Sequence, residues 1–216
     1  MEITYIGHSC FKIKGKDLSL VIDPYDAKIG YKLPKMDADV VLCSHNHFDH
    51  SNASAISGSR FLIDSPGEYE ISGVFINGLA TFHDNTDGSK RGKNIIYSMD
   101  IDGFNLLHLG DLGHELTDDT LEHLGTVDIL MIPVGGFYTI DAETAAKVIS
   151  SIEPGIVLPM HYKTPDGTGV TDIVGVEKFL DEMGVAKTVQ RLEKLKISSR
   201  SDIPEETEII VLIPSH

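Results

Sequence analysis

A chain of 216 residues can bury about 70% of the surface its unfolded form exposes, so it needs neither disulfides nor a structural metal to hold a core. Its 18 basic and 33 acidic side chains leave a net charge of −15, which repels phosphate backbones at long range and disfavours a general nucleic-acid binder. No apolar run approaches the roughly 18 residues of a membrane span, and Met1-Glu2-Ile3-Thr4 has no basic stretch leading into an apolar one, so a cytoplasmic protein without a signal peptide is expected.

The first 22 residues predict three strands: Ile3 to Ile6, Cys10 to Lys14 and Leu18 to Ile22, the last two joined by a turn at Gly15-Lys16-Asp17. Asp23-Pro24 ends the third. A loop carrying Gly30 and Pro34 leads to a strand over Asp39 to Cys43, and Ser51 to Ile56 predicts a short helix. Strands are expected at Arg60 to Ile63, Glu68 to Ile71 and Val74 to Phe82, the last interrupted by Asn77-Gly78. A Gly-containing basic loop, Thr86 to Lys93, precedes two strands, Asn94 to Met99 and Phe104 to Leu109, joined by the turn Asp100 to Gly103.

Helices then alternate with strands. Thr117 or Asp118 caps a helix ending at Leu124, Asp128 to Val134 is a buried strand, and Asp141 caps a helix running to Ile152. Ile156 to Leu158 is the next strand. Val170-Thr171-Asp172 opens a helix that puts Val176, Phe179, Leu180 and Met183 on one face and stops at Gly184. A final strand spans Thr207 to Ile213. Strands first, then strands alternating with helices, predict an α/β layered fold, read as one domain over 1–216 that can be built of two halves. Cys10 and Cys43, the only cysteines, lie in strand-like apolar runs and read as buried free thiols in a reducing compartment.

The chemistry concentrates at Ser44-His45-Asn46-His47-Phe48-Asp49-His50, a loop leaving a buried strand. Three imidazoles and a carboxylate within six positions gain little from apolar burial but suit divalent metals. His45 and His47 can converge only in an extended or loop backbone, whereas the adjacent Asp49 and His50 must diverge, so one loop can feed two neighbouring ions. His83, Asp111 and His161 also follow strand-like runs, and open α/β sheets gather their chemistry beyond strand ends.

This pattern resembles the His-x-His-x-Asp-His signature of the metallo-β-lactamase-fold superfamily. Tyr5 to Ser9, Thr81-Phe82-His83, Leu109-Gly110-Asp111, Pro133 to Gly136 and Pro159 to Tyr162 match in order, and they look closest to the branch holding L-ascorbate-6-phosphate lactonase and other metal-dependent hydrolases. The resemblance implies an αβ/βα four-layer sandwich with its site in the cleft between the sheets. It places His45, His47 and His83 on one metal, Asp49, His50 and His161 on a second, and Asp111 between them. Two divalent ions are implied, Zn first, with Mn or Fe as alternatives. The implied reaction is hydrolysis of a small ester, lactone or phosphodiester by hydroxide held between the ions, with Asp49 also handling the proton. Asp111 departs from the cysteine of the zinc β-lactamases, His47 from the glutamate of flavodiiron enzymes, and Ser51-Asn52 from the Gly-Gly of glyoxalase II.

His8 and Tyr138 are expected to contact substrate, Tyr138 by donating to an oxyanion. Lys90, Arg91 and Lys93 form a basic cluster able to hold a phosphate or carboxylate, although a solvated loop is the simpler reading. His114 is either near the cleft or on the surface; His108 is core or outward-facing, His123 is on a helix surface, and His216 is a tail. The expected partner is a small molecule, and a homo-oligomer is compatible with the sequence. A nuclease of the same superfamily and a non-catalytic metal-binding module are the competing readings.

Overall fold

The computed structural model describes residues 1–164 and 172–215. In chain order the elements begin with β1 (Glu2–Gly7), β2 (Cys10–Lys14), β3 (Ser19–Ile22), β4 (Val40–Leu42), β5 (Phe61–Ile63), β6 (Gly67–Ile71) and β7 (Val74–Phe82). They continue with β8 (Lys93–Ile101), β9 (Phe104–His108), α1 (Asp118–Leu124), β10 (Ile129–Pro133), α2 (Ala142–Ile152) and β11 (Ile156–Met160). The last are α3 (Glu177–Glu182), β12 (Gln190–Leu192), β13 (Leu195–Lys196) and β14 (Glu208–Leu212). Two mixed sheets result, ordered β13-β1-β2-β3-β4-β5 and β12-β14-β11-β10-β9-β8-β7-β6.

Alternation along the first sheet's strands sorts their side chains between two faces. Ile3, Tyr5, Leu20, Ile22, Val40 and Leu42 join the large core shared with the second sheet and with α2 and α3. Ile6, Cys10, Val21, Val41 and Cys43 face the other way, into a smaller cluster closed by Tyr25, Ile29, Ala38 and Ile56. Among the described residues that outer cluster contains none from α1, α2 or α3, and loops with single turns of 3-10 helix supply its cover. The segment expected as a helix over Ser51 to Ile56 is one of these, reduced to Ala53–Ala55 and lacking a side-chain cap.

In the second sheet, β9, β10, β11, β14 and β12 run parallel. The inner strands β10 and β11 are apolar on both faces, as a sheet covered on both sides requires. The helices between the parallel strands start where the caps predict: Thr117 accepts from the Thr120 N–H and Asp141 from the Thr144 N–H. The helix expected from Val170 begins only at Glu177, and the proposed start at Val170 and Thr171 lies outside the described residues, as does His216. The β8–β9 hairpin turns on Asp102 and Gly103, both at positive φ, the two-residue turn that an Asp-Gly pair favours. β7 passes through Asn77-Gly78 unbroken, because Gly78 lies opposite Tyr97 and leaves room for that ring.

The free cysteines are buried. Among the described residues no helix is long and apolar enough to cross a membrane.

Tyr97 joins the two sheets at the base of the ligand loop. From β8 its buried hydroxyl reaches across the core to the carbonyls of Cys43, at 2.8 Å, and Ile63, at 3.0 Å. The Ile63 carbonyl also accepts from the Cys43 N–H, so Cys43's own carbonyl depends most on the tyrosine. Tyr97→Phe is expected to leave that carbonyl without its donor and to cost roughly 1–3 kcal/mol. Thermal unfolding should record a fall in Tm of roughly 3–10 °C with unchanged secondary structure; an unshifted Tm would show that the cross-sheet bond contributes nothing net.

Candidate metal centre

Six strands deliver the polar residues of the site at their C-terminal ends. His8 follows β1, Asp23 follows β3, Ser44 to His50 follow β4, His83 follows β7, Asp111 follows β9, and His161 follows β11. Each of these strands carries apolar residues into the core, so the backbone beyond each end is fixed by packing while the side chains turn into the gap between the sheets. His8 and His161 sit at φ of 57° and 51°, and the His161 N–H donates to the His8 carbonyl at 2.7 Å, linking the two sheets directly.

Asp111 is the hub. Its Oδ2 lies 3.2 Å from the Nε2 atoms of His50, His83 and His161, and 4.0 Å from Nε2 of His45. The carboxylate is buried, and its Oδ1 has no hydrogen-bond partner. Gly110 makes this placement possible: at φ 54° a Cβ there would overlap Asn94 Oδ1 and Ser44 Cβ. Asn94 Oδ1 accepts the Asp111 N–H at 2.9 Å, while its amide nitrogen holds the Leu109 carbonyl and Thr81.

Hydrogen bonds on the far side of the rings show which nitrogens are left bare. His50 Nδ1 donates to Asp23 Oδ2 at 2.8 Å. Ser44 gives its hydroxyl proton to the same carboxylate oxygen at 2.7 Å, so it accepts from His45 Nδ1 at 2.9 Å. In the neutral rings, Nε2 of both His45 and His50 is then a lone pair, buried, without a partner and facing an anionic oxygen. Lone pairs aimed at a carboxylate repel one another unless a proton or a cation lies between them. Further donor atoms crowd the same space. His45, His47 and His83 offer nitrogens within 4.8 Å of one another, and so do the donors of His8, Asp49, His50 and His161. The residues present therefore suit divalent cations held by imidazole and carboxylate.

The electrostatics separate the rings: His45 and His47 are held neutral, while the carboxylates around His50 favour positive charge at its ring. Burial holds the His45 pKa well below the usual imidazole range, reinforced by His50, and burial with His83 lowers His47. Both are thus in the neutral, ligating form at pH 7. Burial also works against charge on His50, but Asp111, Asp23 and Asp49 outweigh it and hold that pKa well above its ordinary value. Asp111 resists burial because His161 and His50 keep it ionised. Asp49 is held low by His50 and His8 against its own desolvation.

The site opens into a cleft of about 550 Å³ lined by His47, Phe48, Asp49, His83, Arg91 and Tyr138, among others. Tyr138 forms part of this wall, but its hydroxyl donates to Asp172 Oδ2 at 3.1 Å, which leaves the ring and not the O–H to face a substrate. His8 does not line this cleft. It is buried behind Asp49, with Nε2 3.1 Å from Asp49 Oδ2, and burial followed by His161 lowers its pKa to about 4, so it acts as a neutral N–H donor to that carboxylate. Lys90 and Arg91 reach the cleft, while Lys93 lines a neighbouring crevice of about 390 Å³ beside His45 and His47.

The other described histidines stand apart. His108 is in the core, donating to the Ser9 carbonyl and accepting from the Gly110 N–H. His114 accepts from the Phe82 N–H, and His123 bonds back to its own helix at Asp119.

Sequence reasoning missed Asp23, Ser44 and Asn94. Asp23 read only as a strand terminator before Pro24, yet it is fully buried at φ 48° and accepts from the Ser44 N–H, the Ser44 hydroxyl and His50. A carboxylate behind a metal-binding imidazole fixes the ring's tautomer and orientation. Asp23→Asn should therefore weaken metal affinity by roughly 10–100-fold, read by chelator competition, while far-UV circular dichroism is retained. Unchanged affinity would limit Asp23 to bracing the loop.

A family model described as a β-lactamase superfamily domain matches residues 2–161. A UPF0173 metal-dependent hydrolase of Thermoplasma volcanium is 31% identical, the match covering 77% of this chain and 85% of the relative. A crystal structure from Thermotoga maritima, proposed to be a Zn-dependent hydrolase of the metallo-β-lactamase superfamily, superposes with a TM-score of 0.79 at 34% identity, covering 98% and 97% of the two chains. A metallo hydrolase of Ignicoccus hospitalis shares the fold at 20% identity, with a TM-score of 0.71 over 100% and 96% of the chains. The matched segment contains every candidate ligand from His45 to His161, and by sequence and fold this chain belongs to the β-lactamase superfamily, in its metallo-β-lactamase form.

Proposed function

We propose that this metal-dependent hydrolase cleaves a small ester, lactone or phosphodiester at a pair of divalent ions, Zn first among them, with Mn or Fe as alternatives. The observation that carries the reading is the arrangement of donors around Asp111: bare imidazole nitrogens and unpaired carboxylate oxygen, all buried, all turned inward. His45, His47 and His83 would hold one ion, and Asp49, His50 and His161 the other, with Asp111 shared between them. What such a pair supplies is Lewis acidity and a water acidic enough to attack at neutral pH.

The chain's own residues do the rest. Asp23 and Ser44 orient His50 and His45 from behind, so that both rings present Nε2 to the centre. Asp49, half-buried at the cleft floor, is placed both to bind an ion and to take a proton from the incoming water. His8 is a positioning residue: its Nε2–H donates to Asp49 Oδ2 and leaves the other oxygen free. The centre opens to solvent through the cleft, whose size suits a small molecule. With a net charge of −15 around it, a nucleic-acid substrate is disfavoured.

Elemental analysis of protein loaded with Zn or Mn is expected to give about two ions per chain, since seven candidate ligands exceed one tetrahedral site. Chelation should abolish hydrolysis across an ester, lactone and phosphodiester panel, and at most one ion after loading would sink the two-metal reading. Asp111→Asn keeps the shape of the side chain and removes its charge. It should lower the metal content and reduce turnover by roughly tenfold or more while the protein stays folded; two retained ions with wild-type turnover would show that Asp111 bridges nothing.

A further inference from the structure

The mouth of the cleft carries groups that the reaction centre does not use. Lys90 and Arg91 stand there on a loop keyed to the metal centre, for the loop begins at Asp84, the residue after His83. The Asp84 carboxylate accepts from the backbone N–H groups of Thr86, Gly88, Lys90 and Arg91 at 2.8–3.0 Å, and from the Thr86 hydroxyl at 2.7 Å. Its oxygens are spent on the main chain, and the cationic side chains are left to the cleft. No ion pair among the described residues engages Lys90 or Arg91.

Arg91 is held by aromatic faces instead. Its Cζ lies 5.2 Å from the Tyr138 ring centre and 5.9 Å from that of Phe137, and these two rings pack edge to face at 4.7 Å. A guanidinium stacked this way keeps its in-plane N–H groups for an oxyanion, which it can grip through two of them. Beside it, Phe137 is 61% exposed and Phe48 49% exposed. Phe137 also sits at φ 60°, a costly conformation for a bulky side chain, and one that tends to persist where function requires it. In a chain of net charge −15, unpaired cations beside exposed aromatic rings at a cleft mouth match a ligand that is both anionic and apolar.

We infer that the cleft selects an amphiphilic organic anion: an ester or lactone whose remote oxyanion, carboxylate or phosphate, rests on Arg91 and Lys90 while an apolar arm lies along Phe48 and Phe137. This substrate class rests on the hydrolase reading above.

Two esters with one leaving group test it in the metal-loaded protein. Mono-4-nitrophenyl glutarate carries a terminal carboxylate that 4-nitrophenyl butyrate lacks. The wild type should favour the glutarate in kcat/KM by roughly tenfold or more, and in the Lys90→Gln/Arg91→Gln double variant the ratio should fall to near one, mainly through KM. A wild-type ratio near or below one, or a preference that survives in the double variant, overturns the proposal. Calorimetry separates it from the hydrolase reading, with 4-phenylbutyrate and phenylphosphonate compared against neutral 4-phenylbutanamide. Tighter binding of either anion, lost in the double variant, supports the subsite even if neither ester is cleaved, and the tighter anion names the oxyanion. Cleavage of both esters without charge preference, or equal binding of all three probes, leaves the hydrolase and removes the anion subsite.

Discussion

A buried carboxylate must be matched by positive charge or it will not stay ionised, and Asp111 is such a carboxylate. Four imidazoles surround it; the Ser44 hydroxyl leaves His45 a lone pair facing it, and His50, held from behind by Asp23, faces it with a nitrogen where the carboxylates favour a proton or a cation. Asp23, a second buried carboxylate, sets those orientations, His45's through Ser44. The two acids thus play opposite parts across the same rings, one holding them from behind and the other facing their inner nitrogens. Neither arrangement is stable in an apolar interior without cationic charge between the rings and Asp111. Local backbone choices serve the same end: a glycine in left-handed geometry before Asp111, and a buried asparagine gripping its N–H. The fold keeps the costly groups in place through the packing of the strands that end there.

Much of this was legible in the chain. His45 to His50 announced themselves because so many metal-binding side chains in so few positions have little structural purpose, and His83, Asp111 and His161 became readable once each was seen to follow an apolar run. The groups behind them were not. Asp23 looks like any acid before a proline, and Ser44 and Asn94 like any small polar residues, because their roles lie in partners 17 to 27 residues away that only the folded register brings near. His8 was visible as a site residue, but its depth was not, since exposure depends on what packs over it. The same limit applies to Tyr138, whose hydroxyl is engaged by Asp172 from a distant part of the chain.

Secondary structure divides along similar lines. Strands with alternating or continuous apolar runs and helices with capping side chains fell where their patterns place them. β12 and β13 were missed because Arg191, Glu193, Lys194 and Lys196 give the segment a solvated composition, and polar strands at sheet edges carry no periodic apolar signal. The helix expected over Ser51 to Ile56 shrank to a single 3-10 turn because the first sheet's outer face needs little cover: its outward side chains are small or medium-sized, and loops with Tyr25 and Ile29 suffice to close it.

β13 also bears on how the molecule comes together. It is two residues long, yet it closes the outer edge of β1, pairing Lys196 with Glu2 and Leu195 with Ile3. Nearly the whole chain must therefore be synthesised before its first strand is flanked on both sides. Contacts of such long sequence separation form late, because the loop between them must be closed before any pairing rewards it. During translation β1 would wait with one open edge, the state from which strands most readily pair with the wrong neighbour. The short, charged partner that finally covers it, with Lys194 and Lys196 close to Glu2, gives that edge an electrostatic match on its own chain.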